Sequence, residues 1–170
     1  PRMIFVTEMD VDNASFRQVV EDLTELYGKK IAPFHLPIRE NEKFVGYVNV
    51  ISEKGYRWQG KEVVECDIPD YCMDNLEIYR EALMDAVAET SEEFMERYFA
   101  GEEFTPSEII AALKFNVFDG SIIPVSMGSS TELRNIHNLL NDIVDYFPSP
   151  DKRKCAGIST KSNSIFEANY

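Results

Sequence analysis

Met3-Ile4-Phe5-Val6-Thr7-Glu8-Met9-Asp10 leads, after a short polar gap, into Phe16-Arg17-Gln18-Val19-Val20-Glu21-Asp22-Leu23 and halts at Tyr27-Gly28. The apolar run over 3–9 predicts a short strand buried on both faces, the kind found in parallel sheets. Asp12 or Asn13 is expected to cap the helix that follows. Phe16, Val19, Val20, Leu23 and Tyr27 share one face of that helix, and Gly28 supplies its stop. Strand, loop and helix in this order are the building unit of an α/β sheet.

A second unit of the same kind lies near the other end. Ser121 to Met127 reads as a strand. Ile136, Leu139, Leu140, Ile143, Val144 and Phe147 form a helical stripe that ends at Pro148-Ser149-Pro150.

Between the two units the pattern changes. Ile31 to Ile38 is extended, and Pro33 and Pro37 predict an edge or irregular strand. Phe44, Tyr47 and Val48 to Ile51 form another strand. Gly55 to Trp58 and Glu62 to Glu65 read as two short strands about Gln59-Gly60-Lys61. Trp58, Tyr47 and Tyr56 are expected to be cross-strand pairs rather than an aromatic platform. A helix starting near Met73 carries Leu76, Tyr79, Leu83, Ala86 and Val87. Thr90-Ser91-Glu92-Glu93 and Thr105-Pro106-Ser107-Glu108 both read as capping boxes, the second with proline at the first helical position.

The expected fold is therefore α/β. Residues 1–28 and 120–150 build a partial parallel sheet, and 29–119 form an inserted α+β subdomain, an antiparallel sheet plus helices. Residues 151–170, with four bases and two acids, read as a linker and the start of another domain. The apolar run opens almost at once and no initiator methionine precedes it, so the chain reads as a piece of something longer.

Composition narrows the function. Thirty acids against 17 bases in 170 residues give a net charge of −13, which argues against DNA or a broad nucleic-acid footprint. Residues 62–110 hold 15 acids and two bases, Arg80 and Arg97. Cys66, Cys72 and Cys155 are odd in number and lack C-x-x-C spacing, so reduced thiols in a cytoplasmic chain are expected rather than a disulfide scaffold or a structural zinc. No run reaches the roughly 18 apolar residues of a membrane helix. His35 and His137 stand alone in the sequence, and no Ser-His-Asp set can be read from it.

Ligands of open α/β sheets bind at the carboxyl ends of strands. Two such ends are Thr7-Glu8-Met9-Asp10 and Met127-Gly128-Ser129-Ser130. An aspartate there can accept two N–H bonds from the ring N–H and exocyclic amine of guanine, an edge that adenine lacks. A Gly-Ser-Ser turn can offer backbone N–H groups to the guanine oxygen. Aspartate at a strand end is also a common turn former or helix cap.

Val6-Thr7-Glu8-Met9-Asp10 resembles the Val-Asn-Lys-Met-Asp guanine-specificity motif of elongation factor G, and further segments match in order. Pro33-Phe34-His35-Leu36-Pro37-Ile38 is similar to its P-x-x-L-P-I strand, and Phe44-Val45-Gly46-Tyr47-Val48 to its F-x-G-x-x-D segment. Ile123-Pro124-Val125-Ser126-Met127-Gly128-Ser129-Ser130 resembles V-P-V-x-x-G-S-A, and Leu139 to Pro150 resembles L-L-D-x-V-x-D-Y-L-P-S-P.

The resemblance implies the second half of a translational GTPase domain of the P-loop type, with its inserted subdomain; 151–170 would lead into a β-barrel domain. It implies that Asp10 accepts the guanine N–H pair. Thr7 would stand where asparagine holds the motif together, Glu8 would replace a lysine that packs on purine and ribose, and Ser129 and Ser130 would lie in the second guanine loop. GTP or GDP is the implied ligand, with magnesium held elsewhere in the full-length protein, and the ribosome and its stalk protein are the implied partners, the latter through 62–110. No Gly-x-x-x-x-Gly-Lys-[Ser/Thr] loop or Asp-x-x-Gly segment occurs in these residues, so they hold no catalytic residue and should not hydrolyse GTP alone. Release-factor-3 and ribosomal-protection GTPases share these motifs. The alternative from another class is a docking module that has lost effective nucleotide binding, at which Glu8 hints.

Overall fold

A computed structural model of the chain describes residues 1–60, 62–149, 154–158 and 165–169. Its centre is a three-stranded parallel sheet, order β1-β7-β2, from Ile4–Val6, Ile123–Met127 and Ile31–Pro33. Beside it stands a four-stranded antiparallel sheet in sequence order: β3 (His35–Glu40), β4 (Lys43–Asn49), β5 (Lys54–Gln59) and β6 (Glu62–Cys66). Helices α1 (Phe16–Tyr27), α2 (Asp70–Ala88), α3 (Glu92–Phe99), α4 (Pro106–Asp119) and α5 (Ile136–Tyr146) complete the α/β architecture. Lys154–Ile158 and Ile165–Asn169 pair as an antiparallel hairpin, β8 and β9. The rest of 150–170, Lys61 in the 59–61 turn and the Cys155 thiol lie outside the described residues and side chains. Among the described residues no helix is long and apolar enough to cross a membrane.

The central strand, β7, is buried along its whole length, as a strand paired on both sides should be. β1 differs from its expected form. It is three residues long, half-buried, and paired on one side only among the described residues. The 31–38 stretch also departs from expectation. It is two strands in two sheets, so residues 31–33 belong with the parallel sheet and not with the insert. Phe34 is the joint: its N–H donates to Val125 O at 2.9 Å, and its carbonyl accepts from Val50 N at 2.9 Å. Pro37 sits in the edge strand β3, where a missing donor is tolerated. One apolar cluster runs through both sheets, from Phe16, Val20, Val125 and Met127 to Phe34, Ile38, Val48, Leu83 and Leu113. The insert shares the core of the parallel sheet rather than hanging from it.

Helix ends follow side-chain chemistry, with two corrections. α1 is capped by Ser15, whose hydroxyl accepts from Gln18 N at 3.3 Å. Asn13 lies in the left-handed region, φ 63°, and cannot take the extended backbone of a cap. Ser91 caps α3, which makes Phe94 and not Glu93 the third helical residue, so no reciprocal box forms there. Thr90 instead lies just past the C-cap of α2, with its hydroxyl donating to Ala86 O. The 105–108 box does form around Thr105 and Glu108, with Pro106 opening α4 and Gly120 closing it in the left-handed region. Tyr47 stacks on Tyr56 at 5.1 Å between ring centres and lies 5.9 Å from Trp58, as cross-strand neighbours.

Candidate functional site

Register places the two expected loops side by side. Val6 is level with Met127 in the parallel pair of β1 and β7, so both chains leave the sheet at the same end. Gly128 N donates to Val6 O at 2.9 Å, and Met9 N returns the bond to Gly128 O at 3.1 Å. The Thr7 hydroxyl donates to Ser130 Oγ at 3.1 Å, closing the gap between two residues that are far apart in sequence. Gly128 must be glycine. A Cβ there would fall 2.4 Å from Arg134 O and 2.8 Å from the Phe5 ring.

The five expected site residues divide by orientation. Thr7, Glu8 and Ser130 are exposed, and Asp10 is half-buried. Asp10 Oδ1 is shielded from solvent and has no hydrogen-bond partner among the described residues. A turn former or a cap would have its oxygen engaged, and the helix cap is Ser15. Glu8 takes up φ 62°, a conformation uncommon for a residue with a side chain and one that clusters at ligand loops. Ser129 is fully buried. Its hydroxyl accepts from Glu132 N at 2.9 Å and its amide donates to Arg134 O at 3.1 Å, so it shapes the loop from inside. The amides of Gly128 and Ser129 are thus taken, whereas the amide of Ser130 is engaged by no described residue.

Supports reach both loops from the insert. The Arg39 guanidinium, carried by β3, donates to Met9 O at 2.7 Å and Val11 O at 3.1 Å, the carbonyls on either side of Asp10. Arg134, in the second loop, donates to Gly60 O at 3.0 Å and lies over the Trp58 ring at 5.2 Å. Asn135 Nδ2 donates to Met127 O at 2.7 Å from a left-handed backbone, φ 64°. Sequence reasoning missed Arg39 and Arg134, because neither belongs to a local motif.

It also missed a buried polar cluster. His35 on β3, Ser126 on β7 and Asp142 on α5 meet in the core, with His35 Nδ1 3.0 Å from Ser126 Oγ and 3.5 Å from Asp142 Oδ2. Contrary to expectation, the fold does assemble a Ser-His-Asp set. All three are sealed off, so no substrate can reach the hydroxyl. Burial holds the imidazole down at about 4 and lifts the Asp142 carboxyl to about 7, both toward their neutral forms. His137 is exposed on α5. Cys66 and Cys72 are free thiols, and burial pushes Cys72 up to about 11.

Shape alone would draw attention elsewhere, to a groove of about 510 Å³ between α1 and α2. Its Arg17 is already bonded to Glu21 at 2.8 Å. The strand-end loops instead combine an unpaired carboxylate oxygen, a free amide and strained backbone, which is where a polar ligand finds partners.

No protein-family model matches the chain. A crystal structure of a protein from Thermus thermophilus is similar to it over 93% of its length, with a TM-score of 0.80 and 31% sequence identity. The chain spans 24% of that protein, about a quarter, so the likeness establishes the α/β fold of this portion.

Proposed function

We propose that this chain is the guanine-recognising part of a translational GTPase resembling elongation factor G. The observation that carries the reading is the meeting of the 7–10 and 128–130 loops at one end of adjacent parallel strands, with Asp10 Oδ1 unpaired there. The half-buried Asp10 carboxylate, once its shielded Oδ1 is uncovered, accepts from the ring N–H and the amine of guanine. Adenine would leave it unpaired at a cost that discriminates strongly. The Ser130 amide is the available donor for the guanine oxygen, and the Thr7–Ser130 bond does the tying that asparagine does in the resembled motif. Phosphate and magnesium ligands belong to other parts of the full-length protein. There they would supply the charge neutralisation that phosphoryl transfer requires.

Glu8 sets this protein apart. An exposed anion in place of a cation lies near a ligand that is itself anionic, so guanine nucleotides should bind more weakly than with lysine. The same residue favours the second reading, a docking module with weakened nucleotide binding. Both readings share a cytoplasmic, ribosome-bound role, with the acidic face of 62–110 meeting a basic surface such as that of the stalk protein. Calorimetric titration of the full-length protein with GDP and with ADP separates them. A GDP preference of at least about a hundredfold supports the GTPase; equal binding of the two, or none, supports the module.

A further inference from the structure

Resting on that guanine reading, we propose that Arg39 is a positioning residue for base specificity, by which the insert holds Asp10 in place. Three observations converge on it. Its guanidinium grips the carbonyls immediately before and after Asp10, at 2.7 and 3.1 Å, and also bonds Glu42 O. Charge-assisted bonds to the 9–10 and 11–12 peptide groups fix both the place and the tilt of the one peptide unit between them, which a single bond cannot do. Arg39 is in turn braced by the insert's long helix. The Tyr71 hydroxyl, in the first turn of α2, donates to Arg39 O at 2.8 Å and accepts from Arg39 N at 3.1 Å.

The loop needs such a brace. Asp10 itself makes no bond through Oδ1, and Glu8 and Asn13 on either side are left-handed at φ 62° and 63°. Strained backbone persists only where its surroundings over-determine it. The Met9 and Val11 carbonyls held by Arg39 supply that determination from across the boundary between the two sheets. Reading a purine edge with two bonds demands placement within a fraction of an ångström, so a loosened loop loses discrimination before it loses affinity.

The test uses the full-length protein and compares GDP with inosine diphosphate, which lacks the exocyclic amine. The ratio of the two affinities reports how well Asp10 makes its second bond. Arg39→Ala should lower that ratio about tenfold, with IDP binding changed much less and the melting temperature nearly kept. Arg39→Lys, which can hold one carbonyl, should recover part of the ratio, and Tyr71→Phe should lower it about threefold by loosening the brace. Hydrogen exchange of the 8–14 amides should rise in Arg39→Ala while that of β7 is unchanged. An unaltered GDP:IDP ratio in Arg39→Ala overturns the specificity role, and unaltered exchange overturns the positioning itself. If the unmodified protein binds GDP and ADP alike, it is the guanine reading that falls, and the specificity role with it; the exchange measurement still decides whether Arg39 holds the loop.

Discussion

Gly128 has no room for a side chain, because Arg134 O, the Phe5 ring and Asn135 Cβ crowd the place where a Cβ would project. Gly128→Ala should therefore cost about 1–3 kcal/mol, read as a lower thermal midpoint, and should part the two loops. An unshifted midpoint would mean that the contact is not tight. The buried pair of His35 and Asp142 makes a prediction about pH. Between pH 4 and 6.5 the unfolded chain takes up a proton that buried His35 refuses, so His35 makes stability rise with pH. Between 3.8 and 7 folded Asp142 keeps a proton that the unfolded chain has released, so Asp142 makes stability fall as pH rises. The two offset across their common window, and above 6.5 the Asp142 loss stands alone. His35→Gln should unmask a fall in stability from about pH 4 to about pH 7, and Asp142→Asn a rise over about pH 4 to 6.5. Denaturant titrations across that range read both, and parallel curves for the two variants would contradict the account.

At the scale of elements, α4 depends on its first turn. Thr105 Oγ1 accepts from Glu108 N, and the Glu108 carboxylate accepts from Thr105 N at 2.7 Å and from Arg97 at 2.6 Å. Arg97 beside it holds the Glu108 carboxyl down at about 2, as do the two bonds from Thr105. Thr105→Ala should cost about 1 kcal/mol in denaturant stability and more at α4 than elsewhere by hydrogen exchange; no change would remove the cap from the account. Unlike the Arg97 bond to Glu108, the reciprocal box was legible in sequence because Thr105 and Glu108 lie within four consecutive residues. So were α1, α5 and the β5–β6 hairpin, where periodicity and glycine carry the signal. The division of 31–40 between two sheets was not legible, since it turns on hydrogen bonds that Phe34 makes to Val125 and Val50. The cap of α1 was misread for a related reason: several residues near it could cap, and the left-handed turn at Asn13 excludes the candidates before Ser15. Of the site, the pairing of the two loops could be read from strand order and motif together. Arg39, Arg134 and the His35–Ser126–Asp142 cluster could not, because their partners lie tens of residues away and no local pattern marks them.

Over the whole molecule, the insert and the parallel sheet form one mechanical body. They share a core, Phe34 joins their sheets, and Arg39 and Arg134 bond across from one to the other, one at each loop of the candidate site. Most of the net acidic charge is borne by the insert. Along α2 and at its C-cap, the exposed Glu77, Glu81, Asp85 and Glu89 recur at one-turn spacing with no base interleaved on that row, so they present an anionic stripe. On the proposed docking role, association of the full-length protein with ribosomes should weaken as salt rises past about 0.15 M, where the screening length falls to about 8 Å. The triple variant Glu77→Lys, Glu81→Lys, Asp85→Lys should weaken it at least about tenfold at low salt. Salt-independent binding, or binding indifferent to the variant, would detach that stripe from docking. The claim on which all of this rests is that Asp10 reads the guanine edge, and exchanging the hydrogen-bond pattern on both sides tests it most directly. Asp10→Asn trades an acceptor for a donor, and xanthine trades the guanine amine for a carbonyl. Titrated into the full-length variant, xanthosine diphosphate should bind at least about tenfold more tightly than GDP, reversing the order expected of the unmodified protein. Retention of the GDP preference by Asp10→Asn would contradict the account.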